Sequence, residues 1–494
     1  MTSFVTDLNT PLLRLTPKDS FTLRDAFNAV QVFGSIGSGK TSGGGRALAG
    51  AYLRAGMGGL VLCAKDDEVE LWKSYCQQHG REQDMILFDE NEGCNFISYE
   101  LARKGVDGVS SVTDTIVRII EAADKAAGQG GGREGEQFWK NTTRQMLLYS
   151  IAALYGANGE VTVTEIVKFI TTMPTRPPAT AEESAKLNKN FAVEVLHRFL
   201  KSPKRPVAPD LAEATRNYFT LQYTALAERT RSSILINVTS ALNRFNTGML
   251  RKSFCADTTV VPEMTLAGKI IIMAFPPLSY NDEGIISQTL FKFLFQRAVE
   301  ARNSLAPIFR ERPVFLYADE SQFFVSEYDD TFLSTCRGSR CATVYLTQSL
   351  PTLYAMLGKD KSDAVDGFVG KFNSKIFHLN ADPRTNQYAS SLIGRGLQTR
   401  RTAGESAGRN TTRGNNASTT RNSNYSYGSS ANTNSSGGSS GGWLFPYASR
   451  NVGSSTGASR SMNGGGDRAA VAAPAPLRAK IRPSPPARAS RWTI

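Results

Sequence analysis

The sequence predicts an α/β fold on a parallel sheet, interrupted by a block of helices and followed by a basic low-complexity tail. Three observations carry that prediction. A phosphate-binding glycine loop (P-loop), Gly34-Ser35-Ile36-Gly37-Ser38-Gly39-Lys40-Thr41, stands between an apolar run and a helix-compatible segment. Short apolar runs alternate with helical segments on both sides of the chain's middle, the signature of a parallel α/β sheet. Between those two groups lies a mostly helical block of roughly 130 residues, broken by loops at Gly128 to Gly132 and Pro174 to Thr180.

The elements follow in order. Residues 1–25 form a lead-in, with turn signals at Pro11 and Pro17. Ala29-Val30-Gln31-Val32-Phe33 is a buried strand feeding the glycine loop, and Thr41 to Arg54 continues as a helix, although Gly43-Gly44-Gly45 weakens its intrinsic propensity. Gly59 to Ala64 and Met85 to Asp89 are two further strands, with a helix from Asp66 to Gly80 between them. From about Ser111 to Asn243 helices dominate: Val112 to Ala127, Phe138 to Tyr155, Ala192 to Leu200 and Leu211 to Leu242. Thr162-Val163-Thr164-Glu165 has capping-box spacing and opens another. Strands return at Lys269 to Phe275, Val314 to Ala318, Thr343 to Leu346 and Lys375 to His378, separated by helices that include Ile285 to Ala301 and Thr331 to Arg337.

Composition excludes several function classes. The chain has 494 residues and 40% hydrophobic content, enough for substantial cores. No stretch approaches the roughly 18 consecutive apolar residues of a membrane helix. The N-terminus, Met1-Thr2-Ser3-Phe4-Val5-Thr6-Asp7, has neither the basic nor the apolar region of a secretory signal. The expected location is therefore the cytoplasm. Six cysteines without Cys-x-x-Cys spacing and three scattered histidines argue for buried, reduced thiols and against a zinc site. The net charge of +13 is concentrated in the tail. From Arg395 onward fourteen basic residues stand against two acidic ones, leaving residues 1–394 nearly neutral. Net charge therefore marks a basic tail and does not by itself mark a DNA-binding surface on the core. Ser, Asn, Gly, Thr and Arg beyond about Arg400 bury too little apolar surface to offset ordering entropy, so residues 396–494 are expected to be disordered.

The glycine loop implies ATP and Mg²⁺ as ligands. Gly34, Ser35, Gly37, Ser38 and Gly39 let backbone amides converge on phosphate oxygens, Lys40 reaches the β- and γ-phosphates, and the Thr41 hydroxyl binds Mg²⁺. Such a loop needs an acidic strand end, and Val314-Phe315-Leu316-Tyr317-Ala318-Asp319-Glu320 supplies it. Asp319 is the candidate for holding Mg²⁺ through water, and Glu320 for polarising the attacking water. The next strand ends in Thr347-Gln348-Ser349, where Gln348 can sense the γ-phosphate. Arg337, eleven positions upstream, is a solvent charge or a finger completing a neighbouring subunit's site.

In combination these residues resemble the type IV secretion and conjugation coupling ATPases (TraG/TraD-like), in the HerA/FtsK branch of P-loop motors. The matching features are the glycine loop, the long helical insertion, Asp319-Glu320-Ser321-Gln322-Phe323-Phe324 and Tyr345-Leu346-Thr347-Gln348-Ser349-Leu350-Pro351. Leu62-Cys63-Ala64-Lys65, Phe138-Trp139-Lys140-Asn141, and Lys375-Ile376-Phe377-His378-Leu379-Asn380 with Thr385-Asn386 add to them. The resemblance implies a RecA-like P-loop NTPase domain, residues 26–104 and 251–395, with an inserted all-α domain at 105–250. The 277 residues between Thr41 and Asp319 leave room for it. It further implies a DNA-stimulated ATPase acting as a homo-hexamer on DNA. Its partners would be a relaxase or secreted protein substrate, which the all-α domain recognises, and the components of a secretion channel. In relatives the position of Arg337 carries an arginine finger. Most coupling proteins carry N-terminal membrane helices, whereas none is read here. That leaves the cytoplasm, or a peripheral place at the inner face of the membrane. The competing expectations are a HerA/FtsK-like DNA packaging or processing ATPase, and a weakly hydrolysing nucleotide-dependent adaptor.

Overall fold

Seven short apolar runs become one parallel sheet. A computed structural model describes residues 3–126, 136–176, 178–357, 362–394, 402–410 and 418–426. Its central strands are β3 (Val30–Phe33), β4 (Gly58–Leu62), β5 (Met85–Phe88), β6 (Ile270–Met273), β7 (Val314–Ala318), β8 (Cys341–Thr347) and β9 (Ser374–Phe377). They lie in the order β5-β6-β4-β7-β8-β3-β9, every pair parallel. Strands such as Ile270-Ile271-Ile272-Met273 are buried at every position. Unbroken β-branched runs belong in a sheet covered on both faces.

Alternation divides the strands between two layers. Phe315, Tyr317, Val344 and Leu346 pack with Leu48, Tyr52 and Trp72 from the helices Arg46–Arg54 and Asp66–Gln78. Leu316, Ala318, Tyr345 and Phe33 face the other way, toward Leu290 and Leu294 of the Pro277–Ala301 helix. The core on that face runs on without a break into the helical insertion, through Val112, Ile116, Leu147 and Phe169. Residues up to Ile393 accordingly form one compact unit.

The insertion is helical, as expected. It contains Gly108–Ala126, Glu136–Asn158, Val163–Thr172, Ala181–Leu187, Phe191–Lys201, Pro209–Asn217 and Glu228–Asn243. Thr162 caps its helix through the full capping box with Glu165. The continuous helix expected from Leu211 to Leu242 is instead broken, with a wide turn of π geometry at Tyr218–Gln222. None of the helices among the described residues is long and apolar enough to cross a membrane.

Two short ladders depart from the sequence reading. The lead-in forms a hairpin, β1 (Pro11–Arg14) with β2 (Ser20–Thr22). Pro11 begins β1, and a strand's first residue can do without its N–H. In the tail, β10 (Thr402–Asn410) pairs antiparallel with β11 (Ser418–Ser426). Backbone hydrogen bonding needs no apolar core, so composition alone does not forbid such a ladder. The remainder of the tail lies outside the described residues.

Candidate nucleotide site

Three strand ends build the floor of the site. Phe33 of β3 is level with Thr347 of β8 and Phe377 of β9. Just beyond them, Gly34 N–H donates to Thr347 O at 3.1 Å, Ser35 N–H to Leu379 O at 3.0 Å, and His378 N–H to Phe33 O at 2.8 Å. The loop then turns through left-handed backbone at Gly37 (φ 74°) and Gly39 (φ 82°), a conformation glycine adopts without penalty. After Lys40 comes a wide turn of π geometry, Thr41–Gly45, in which Gly45 N–H donates to Lys40 O at 2.8 Å. A regular helix, Arg46–Arg54, follows. The three glycines that weaken helix propensity are here the substance of the wide turn. A Cβ on Gly45 would stand 2.5 Å from Tyr317 Oη and 3.0 Å from both Leu346 Cδ2 and Lys40 O.

β8 lies between β3 and β7, so the acidic end of β7 faces the glycine loop across one intervening strand. Thr41 Oγ1 donates to Asp319 Oδ2 at 2.5 Å. Lys40 Nζ is 2.7 Å from Glu320 Oε1 and 3.6 Å from Asp319 Oδ1. Glu320 Oε2 accepts from Gln322 Nε2 at 2.8 Å and, at the longer distance of 3.4 Å, from Gln348 Nε2. All three charged groups are buried: Lys40 is 8% exposed, Asp319 3% and Glu320 4%. Burial alone would lower the Lys40 pKa, but Asp319 and then Glu320 outweigh it and raise it. Burial likewise pushes the Glu320 carboxyl up, yet the bonds from Lys40 and Gln322 hold it below the ordinary value. Glu320 also occupies left-handed backbone (φ 44°, ψ 49°). In a non-glycine residue that conformation persists only where surrounding contacts over-determine it.

The structure thus brings together Gly34, Ser35, Gly37, Ser38, Gly39, Lys40, Thr41, Asp319, Glu320 and Gln348. Arg337 stands apart from them. It is exposed and precedes β8, so the length of a seven-residue strand, about 20 Å, separates it from the Gln348 end.

Two further side chains stand at the site, neither with a role there legible in the sequence. Glu68 is 7% exposed and accepts from Ala64 N–H at 2.6 Å. Burial and the charge of Asp319 push its pKa up to about 8. Its only sequence signal was an acidic first helical turn, Asp66-Asp67-Glu68, which ordinarily means a solvated helix start. His378 lies alongside the loop. Cβ atoms built on Gly43 and Gly44 would stand 3.2 Å from its Cε1 and 3.1 Å from its Nε2. Strand order, which the sequence does not state, is what puts it there.

The fold and site define a P-loop NTPase in which a glycine loop and an acidic strand end flank a strand ending in glutamine. The chain belongs to the type IV secretory system conjugative DNA transfer family, whose model matches residues 17–431. Among solved structures it is similar to the plasmid coupling protein TrwB in complex with the non-hydrolysable GTP analogue GDPNP. That match has 14% identity over 85% of this chain and 87% of that one, with a TM-score of 0.51. It is also similar to the unbound monoclinic form of the bacterial conjugative coupling protein TrwBdeltaN70, at 14% identity over 82% and 83% of the two chains, with a TM-score of 0.49. Identity this low supports a shared fold, and only the first of the two carries that argument. No curated protein matches the chain.

Proposed function

We propose that this protein is an ATP-hydrolysing motor that couples DNA, or protein attached to it, to a type IV secretion channel. Within the family match, the observation that carries the reading is the pairing of Lys40 and Thr41 with Asp319 and Glu320. Those four groups are what a nucleotide triphosphate and its cation would draw apart.

The residues fit ATP with Mg²⁺. Ser38 Oγ is buried in the glycine loop without a partner, and Gly37 and Gly39 open the loop in left-handed backbone. The loop amides and Lys40 would hold the phosphates, while Thr41 and Asp319, already within 2.5 Å of each other, would hold the cation. Mg²⁺ would supply charge neutralisation on the phosphate oxygens. Lys40, once engaged with phosphate, leaves Glu320 Oε1 free. Glu320 then orients the attacking water and takes its proton at that oxygen, and Gln348 links the strand end to the γ-phosphate. Arg337, remote from its own site, acts in a neighbouring subunit's site within a hexameric ring. The helical block 105–250 recognises the relaxase–DNA or protein substrate.

Steady-state ATPase assays with and without single- and double-stranded DNA test the motor reading. Stimulation is expected, and turnover by an assembled oligomer that stayed negligible with and without DNA would overturn it. Glu320→Gln should bind ATP and fail to hydrolyse it. Mixing Arg337→Ala subunits with Lys40→Ala subunits should restore activity that neither has alone.

A further inference from the structure

We propose that Gln322 is a positioning residue for hydrolysis, one that holds a single carboxylate oxygen of Glu320 and leaves the other for the attacking water. The proposal rests on the reading of Glu320 as the base. Gln322 sits in the tight turn Ser321–Phe323 and is 6% exposed. Its two amide ends are tied in opposite directions. Nε2 donates to Glu320 Oε2 at 2.8 Å, and Oε1 accepts from Thr347 Oγ1 at 3.1 Å. Thr347 is fully buried at the end of β8, next to Gln348. By occupying the carboxamide oxygen, the Thr347 hydroxyl fixes the NH₂ end toward Glu320.

The need for such a residue comes from the backbone and from Lys40. Glu320 is held in left-handed geometry, so its direction depends on contacts made by its side chain and its neighbours. Among the described residues, three side-chain donors reach it: Lys40 Nζ at 2.7 Å, Gln322 Nε2 at 2.8 Å and Gln348 Nε2 at 3.4 Å. Phosphate would compete for Lys40, removing its grip when the base is needed. Gln348 is at the edge of hydrogen-bonding range. Gln322 is neutral and already engaged by Thr347, so phosphate has no comparable pull on it. It grips Oε2, whereas Lys40 grips Oε1. Departure of the lysine therefore exposes one oxygen of a carboxylate that stays fixed by the other.

The test compares Gln322→Met, which keeps length and loses the donor, with Thr347→Val and Thr347→Ser. Steady-state ATPase gives kcat and KM, and fluorescent ADP binding gives nucleotide affinity. Gln322→Met should lower kcat roughly 10- to 100-fold with KM and ADP affinity within about twofold, the pattern for an interaction that matters in the transition state. Thr347→Val should lower kcat in the same direction by less, and Thr347→Ser should restore it. Added to Glu320→Gln, Gln322→Met should cause no further loss. A parallel fall in affinity and kcat, or an additive loss in the Glu320→Gln background, would overturn the proposal by showing a packing role. Normal turnover by Glu320→Gln alone would instead remove the base reading and the proposal with it. Should Gln322→Met fail to fold, the Thr347→Val and Thr347→Ser pair decides the matter with Gln322 in place.

Discussion

Two lysines are buried against carboxylates on either side of the segment Glu320–Ser326, and the two clusters are built differently. Lys292, with no exposed surface, donates to Phe324 O at 2.6 Å and to Asp329 Oδ2. Asp329 also accepts from Gln296 Nε2 and Tyr345 Oη, each at 2.7 Å, and from Ser326 N–H at 2.6 Å, capping the Glu327–Thr335 helix. Burial pushes this carboxyl up, but Lys292 and the other donors outweigh it and hold it below the ordinary aspartate value. At the nucleotide site, one lysine serves two carboxylates, the Ser38 hydroxyl lacks a partner, and Glu320 is held in left-handed backbone. Gln296 Oε1 has no partner among the described residues, but the Asp329 carboxylate itself has donors on both oxygens. A carboxylate so held rigidifies a fold, whereas two that share one lysine are ready to exchange partners. The first cluster fastens β8 and the segment after Glu320 to the Pro277–Ala301 helix. The second is assembled so that a ligand can take it apart.

The largest effect should come from removing the lysine that exchanges. Lys40→Met is expected to lower ATP hydrolysis at least about 1000-fold, because no other residue of the glycine loop carries a positive charge. Its urea unfolding midpoint should fall less than that of Lys292→Met, since Asp319 and Glu320 keep some exposure and Thr41, Gln322 and Gln348 still donate to them. Lys292→Met should cost more stability, about 3–5 kcal/mol, by leaving the fully buried Asp329 carboxylate with neutral donors and without its cation. If Lys40→Met unfolded and Lys292→Met did not, the contrast between the clusters would be wrong.

An intermediate effect is expected at Gly45. Gly45→Ala would place its methyl 2.5 Å from Tyr317 Oη and 3.0 Å from the Lys40 carbonyl, one of them side chain and the other backbone. Forcing the two apart should cost about 1–3 kcal/mol and shift the loop. Nucleotide affinity, measured by fluorescent ADP binding, should weaken more than the unfolding midpoint falls. Unchanged affinity would mean that the wide turn does not set the loop's position.

These differences follow what a linear sequence can and cannot state. The strands are legible because each is a short apolar run with clear ends; Lys269 to Phe275 contains the observed Ile270–Met273. The glycine loop and Asp319-Glu320 are legible because local residue types define their chemistry. Strand order is not local. That β8 lies between β3 and β7 is a property of the whole sheet, and it alone brings Thr347 to Gln322 and Gln348 to Glu320. The π turns at Thr41–Gly45 and Tyr218–Gln222 escape periodicity, because one widened turn barely disturbs the pattern. Nothing local in the sequence marks Lys292 or Asp329, and only packing reveals that both are buried.

The smallest effect tests how firmly the Asp329 carboxylate is held. Tyr345→Phe removes one of the two donors to Asp329 Oδ1 and leaves Gln296 on the same oxygen. At neutral pH the loss should be about 1 kcal/mol, the contribution of one hydrogen bond within a network that retains its others. The pH dependence gives the sign. Asp329 is depressed in the folded state relative to an ordinary value of 3.8, so its ionised form contributes stability above that value, and the contribution disappears as pH falls through the folded pKa. Tyr345 donates to the ionised carboxylate, and its removal should raise the folded pKa toward the unfolded one. The difference between wild type and variant should therefore be full at neutral pH and shrink as the pH falls below about 4. Paired urea titrations across that range measure it. A difference that stayed constant into acid would mean that Tyr345 supports the cluster by shape, and that the charge on Asp329 is held by its remaining donors alone.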